Sequence, residues 1–167
     1  MNMARNAAME FVSKIDLNIH CVGIMGFADR SKMFSNLTHE ISSIESAINK
    51  LDCNASRVGY GNDNNPLGDA IDIFKYKEDS KNILIVLTDG VWSSQKQAIK
   101  SSDYCREVGY EVVAIGFGSA DKKFLERIST NSENALMTNL DNLVDSFGSI
   151  AQEISQSGGA SGLKWNK

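Results

Sequence analysis

The sequence predicts an α/β fold, a mostly parallel central sheet with helices on both faces. Three observations lead there. Ile83–Leu87 is a run of five large apolar residues, three of them β-branched, and it ends in Thr88-Asp89-Gly90. The run is too short for a membrane span and has no polar alternation, so it reads as a strand covered on both sides. Glu111–Phe117 (EVVAIGF) repeats the pattern. Around these runs apolar residues recur at helical spacing, and strands alternating with helices are what parallel crossovers produce.

The elements follow in order. Residues 2–15 form a helix, with Ala4, Ala7, Ala8, Phe11, Val12 and Ile15 on one face. Leu17–Phe27 is a strand, Ala28-Asp29-Arg30 a turn, and Lys32–Phe34 a short return strand at the sheet edge. Thr38 is placed to cap the next helix, whose buried stripe is Ile41, Ile44, Ala47, Ile48 and Leu51. The polar stretch 52–64 holds Gly59 and Gly61 and reads as an exposed loop. Asn65 suits the N-cap, and Pro66 the first position, of a helix through Phe74. After the central strand, loop 91–94 carries Trp92, and a helix covers 95–108 until Gly109 stops it. A short helix spans Asp121–Ser129, Ala135–Thr138 is a last strand, and Asp141 caps a final helix built on Leu143, Val144, Phe147, Ile150, Ala151 and Ile154.

A chain of 167 residues suits one domain. The net charge is −4 with scattered Lys and Arg, which argues against nucleic acid as the partner, since phosphate binding needs clustered positive charge. No apolar run approaches the ~20 residues of a membrane-spanning helix. Cys21, Cys53 and Cys105 are odd in number and widely spaced, so neither a disulfide framework nor a zinc site is indicated. Cys21 and Cys105 sit in apolar patterns and read as buried thiols, and the cysteine usage and absence of a signal-peptide pattern point to a cytoplasmic setting. His20 and His39 stand alone and read as structural. No nucleophile elbow and no phosphate-cradling glycine loop occurs. Asp63-Asn64-Asn65 begins like a calcium loop, but position 12 of that frame is Phe74.

The residue most open to function is Asp89. In open α/β sheets ligands bind beyond the carboxyl ends of the strands, and Asp89 leaves the core strand at that end. The competing reading is that Asp89-Gly90 only makes the turn. Trp92 directly after it reads either as an exposed recognition residue or as packing on the following helix. Asp29, Asp63 and Ser93 fall in loops expected at the same end.

Five stretches, in their order and spacing, resemble a von Willebrand factor type A (vWA) domain: Gly23–Asp29 (GIMGFAD), Asn65–Ile71 (NPLGDAI), Ile83–Gly90 (ILIVLTDG), Glu111–Gly118 (EVVAIGFG) and Lys122–Ile128 (KKFLERI). The match places a vWA-like domain over 1–154 and leaves 155–167 as a flexible tail. The resemblance implies a Rossmann-like fold, a non-catalytic protein-binding role, and a metal-ion-dependent adhesion site (MIDAS) whose bound Mg²⁺ is completed by a partner's carboxylate. It carries the core-strand Asp onto Asp89. Asn65 stands where the family has a metal-binding Thr, and its amide oxygen is either a ligand or an ordinary cap.

The family's Asp-x-Ser-x-Ser loop does not occur in the sequence, and Met1–Ile15 corresponds to the helix that follows that loop. The expectation is therefore an N-terminally incomplete domain with weak or no Mg²⁺ binding, lacking the family's first central strand between the segments 17–27 and 83–88. That strand comes from upstream sequence, comes from a partner chain, or is made unnecessary by the two neighbours closing up. Two further functions stay open: a subunit or fragment stable only when its sheet is completed, and a phosphoryl-transfer enzyme using Asp89, which would need a general base that the sequence does not supply.

Overall fold

The computed structural model describes residues 2–51, 58–61, 63–74, 80–160 and 163. Helix α1 (Asn2–Lys14) leads to an antiparallel pair, β1 (Val22–Phe27) and β2 (Ser31–Thr38). Helices α2 (Ile41–Asn49) and α3 (Pro66–Phe74) follow, then β3 (Ile83–Thr88), α4 (Gln95–Glu107), β4 (Glu111–Gly116), α5 (Lys122–Ile128), β5 (Ala135–Met137) and α6 (Leu140–Ser157). The strands form two sheets, β1-β2 and a parallel β3-β4-β5. The expected α/β architecture is present.

The two long apolar runs pack against helices on both faces, which is why neither alternates with polar residues. Strand pleating sends Leu84, Val86, Val112 and Ala114 to one side, against α3, α4 and α5. It sends Ile83, Ile85, Val113 and Ile115 to the other, against α1 and α6. A third cluster joins Val12, Ile44 and Ile48 of α1 and α2 to Val22 and Ile24 of β1. All six residues of β4 are buried, whereas Ile83, Ile85 and Leu87 of β3 are only half-buried. Strand β4 has neighbours on both edges; β3 is hydrogen-bonded along one.

Several boundaries differ from expectation. The segment before β1 is a turn, because the Asp16 carbonyl accepts from the amides of Ile19 and His20 and its carboxylate from Asn18. The return strand is eight residues long and ends at Thr38, so Thr38 does not cap α2; Glu40 occupies that position, with its amide donating to Thr38 Oγ1. Ile41 is exposed rather than part of the buried stripe. The last helix is capped by Asn139, whose side chain accepts from the Asn142 amide at 2.9 Å; Asp141 lies in the first turn.

Nor do the described residues from Ser155, which are 155–160 and 163, form a loose tail. Helix α6 continues to Ser157 and stops at Gly158 in the left-handed region (φ 70°). Ala160 and Leu163 are buried, and the Ala160 amide donates to Glu111 at the start of β4. Residues 161, 162 and 164–167 lie outside the described residues, as do Cys53 and most of the loop 52–64. Cys21 is half-buried and faces His39: His39 Nδ1–H donates to the Leu17 carbonyl at 2.7 Å, which leaves Nε2 to accept from the Cys21 thiol at 3.0 Å. Neither histidine-isolated nor thiol-buried describes that pair. Among the described residues no helix is long and apolar enough to cross a membrane.

Candidate functional site

Three loops meet at the carboxyl pole of the strands: 28–30 after β1, 63–65 before α3, and 89–94 after β3. Asn64 ties them together. Its amide donates to the Ala28 carbonyl at 3.1 Å, its carbonyl accepts from Ser94 Oγ at 2.6 Å, and its side chain donates to Ser31 Oγ and to Asp69. One residue thus fixes the register of the loops on both halves of the split sheet.

Asp89 is exposed, as a binding role requires. Its carbonyl accepts from both the amide (3.1 Å) and the hydroxyl (3.0 Å) of Ser119 in the loop after β4. That contact needs Gly118, whose φ is +63° and where a Cβ would stand 3.3 Å from the same carbonyl. The backbone of Asp89 is therefore held while its carboxylate faces solvent. On the β1 side, the exposed Asp29 accepts from the Tyr60 amide at 3.1 Å, and its own amide donates to the Val58 carbonyl. Asp63 and Ser93 are exposed in the neighbouring loops.

Trp92 is not at the surface. It is 2% exposed, its ring lies edge-on between Phe27 and Phe124 at 5.2 Å from each, and its Nε1–H donates to Thr88 Oγ1 at 2.9 Å. The expectation of an exposed recognition tryptophan is overturned: the loop after β3 folds back, and the indole closes the top of the core. Apolar groups that do face solvent at this pole include Val91, 54% exposed, and Tyr60, 86% exposed. Sequence reasoning passed over both. The available signal was that Trp92 and Val91 are adjacent in a tight loop, so burying one turns the other outward.

Asn65 does not cap α3 through its side chain. Its Nδ2–H donates to Ser101 Oγ on α4 at 2.9 Å, and its Oδ1 is buried without a hydrogen-bond partner. An orphaned amide oxygen is a hard donor that a cation could satisfy. A hard dication takes about six oxygens, typically one or two of them carboxylates with waters completing the shell. Among the described residues no group of three or more His, Cys, Asp or Glu comes together, and Thr88 Oγ1 is taken by Trp92. The described oxygen donors at this pole include the exposed carboxylates of Asp29, Asp63 and Asp89 and the buried amide oxygen of Asn65.

The sequence model of the von Willebrand factor type A domain matches residues 1–153. The chain belongs to that family. Solved structures agree on the vWA fold. Proximal thread matrix protein 1 of the mussel byssus shares 23% identity and a TM-score of 0.75, over 90% of this chain and 40% of that one. A second structure of the mussel protein, with its MIDAS motif occupied by zinc, gives a TM-score of 0.74 at 23% identity over 90% and 39%. The vWA domain of the type V pili tip protein Mfa5 from Porphyromonas gingivalis is 12% identical with a TM-score of 0.76, over 99% and 90%. The chain spans about 40% of the mussel protein's structure, the first of these. A search of curated protein sequences finds no match.

Proposed function

We propose that this vWA chain is a non-catalytic protein-binding module, and that its recognition face is the pole built by Asp29, Asp63, Asp89, Val91 and Ser93 together with Tyr60. The observation that supports this reading best is the treatment of Asp89: its backbone is clamped by Ser119 while its carboxylate is left in water beside an exposed Val91. Fixed polar groups next to exposed apolar ones are the ordinary makings of a protein contact.

The adhesion site is degenerate in this reading, with weak or no Mg²⁺ binding. Three exposed carboxylates without a firmly held dication repel a partner carboxylate, so the partner presents basic and apolar groups instead. Two measurements test the proposal. Mg²⁺ titrated from micromolar to millimolar leaves Tm unchanged; a saturating rise in the micromolar range would restore a working metal site. Wild-type, Asp89→Ala and Val91→Asp chains are then compared for retention of binding proteins, with Tm as the fold control. Both substitutions are at the surface and shift stability by at most ~0.5 kcal/mol. A partner held equally by all three places recognition elsewhere.

A further inference from the structure

Residues 58–61 are wrapped around one side chain. The Asp29 and Arg30 amides both donate to the Val58 carbonyl, at 2.9 and 3.1 Å, and the Asp29 carboxylate accepts from the Tyr60 amide at 3.1 Å. Gly59 and Gly61 flank that amide and lie so close to the carboxylate that a Cβ on either would overlap it. Gly59 also stands at φ +89°, which residues with side chains rarely take. Farther on, the Asn64 amide returns to the Ala28 carbonyl. The turn 28–30 thus holds the chain on both sides of Tyr60, while Tyr60 itself is 86% exposed.

A single exposed tyrosine is ordinary on a protein surface. One whose backbone is clasped by a carboxylate has already given up the freedom that binding would otherwise cost it. We infer that Tyr60 anchors the recognition pole by stacking on an arginine of the partner protein, and that Asp29 is the residue that positions Tyr60 rather than a contact itself. This stacking rests on the recognition pole proposed above and names the group that the pole takes. Charge decides for a cation. Asp63, three residues on, and Asp89 are exposed carboxylates, Asp29 adds a third charge at the Tyr60 amide, and Arg30 of the same turn is already engaged. A cation over a tyrosine face gains from the ring, and carboxylates beside it add to that attraction. Arginine fits better than lysine, because its planar guanidinium stacks on the ring and still forks to a carboxylate. An acidic group of the partner is repelled at the same place.

The probe is a random-peptide display library selected on the full chain, and arginine is expected at one fixed position of the recovered peptides. One of them, made synthetically, is then titrated against variants with Tm as the fold control. Tyr60→Phe keeps the ring and binds as wild type does. Tyr60→Leu weakens binding about tenfold, as does leucine in place of the peptide's arginine, with lysine in between. Gly61→Ala and Asp29→Ala leave the tyrosine in place but part the carboxylate from its amide, so each weakens binding about as much with little change in Tm. Asp29→Asn, which keeps an acceptor for that amide, recovers most of the loss. A selection that yields no arginine-bearing binder, full binding by Gly61→Ala, or equal losses in Asp29→Asn and Asp29→Ala would each overturn the assignment. Asp89→Ala and Val91→Asp keep the two readings apart. If they release the peptide and Tyr60→Leu does not, the pole stands and the stacking falls; if none of the three releases it, both fall.

Discussion

Trp92 Nε1 donates to Thr88 Oγ1 at 2.9 Å, four positions back along the chain at the end of β3, so the loop returns over the strand it leaves. This bond sets which of the loop's side chains point out. With the indole held between Phe27 and Phe124, it also joins the end of β1 to β3 and α5.

Trp92→Phe keeps most of the ring packing and removes the donor, leaving the buried Thr88 hydroxyl only its 3.5 Å contacts with Gly90. The expected loss is about 1–3 kcal/mol. Trp92→Ala removes the packing too and is expected to lose about 3–5 kcal/mol. Urea denaturation of the two variants checks the order and the gap between them. Equal and small losses would mean the loop rearranges and the indole is not its anchor.

Asn64 holds the pole through bonds that its backbone and side chain share. Asn64→Ala removes the donors to Ser31 and Asp69 but keeps the backbone links to Ala28 and Ser94. The expected loss is about 0.5–1.5 kcal/mol per bond. Hydrogen exchange is the sharper measurement: the amides of 28–31 and 63–65 should exchange faster while those of β4 stay protected. Uniform acceleration across β4 would show a global effect instead.

The fold was legible where burial is complete. Ile83–Leu87 and Glu111–Phe117 carry no polar residue on either face after the first, so only a covered strand accounts for them. The position of Asp89 followed from the same run. Trp92 was not legible, because its placement depends on Phe27 and Phe124, which are distant in sequence. Asn64 was hidden for a similar reason: its partners Ala28, Ser31 and Ser94 lie about thirty residues away on either side. Asn139 and Asp141 are two residues apart and both can cap, so pattern alone could not choose between them. The Cys21–His39 pair is brought together by the pairing of Val22 with Thr38, a register that spacing does not reveal.

Asp103 sits between Arg106, one turn on along α4, and Arg127 of α5. The Arg106 hydrogen bond first, and then that of Arg127, hold its carboxyl below the usual carboxylate range. A depressed folded pKa means the contribution is fully present above the unfolded value, near 4, and fades as pH falls through the folded one. The difference in Tm between wild type and Asp103→Asn should therefore be constant from pH 5 to 8 and shrink below about 4. The pair is exposed, so 1 M salt should shrink it as well. A difference that widens on acidification would refute the assignment.

The two described cysteines should behave as opposites. Burial pushes the Cys105 thiol up to about 11 from an ordinary value of 9.0, and it is fully enclosed between α4 and β4. At pH 8 its thiolate fraction is about one in a thousand, and reagent reaches it only on unfolding. Cys21 is half-buried and hydrogen-bonded to His39 Nε2. In a chain carrying Cys53→Ser, maleimide at pH 8 should modify Cys21 promptly and Cys105 only in step with denaturant. Because the unfolded Cys105 ionises near 9 while the folded one does not until about 11, stability should also fall as pH rises between those values, and Cys105→Ala should flatten that fall. Prompt labelling of both thiols in buffer, checked by peptide mass mapping, would show that the α4 face of the core opens far more readily than its packing implies.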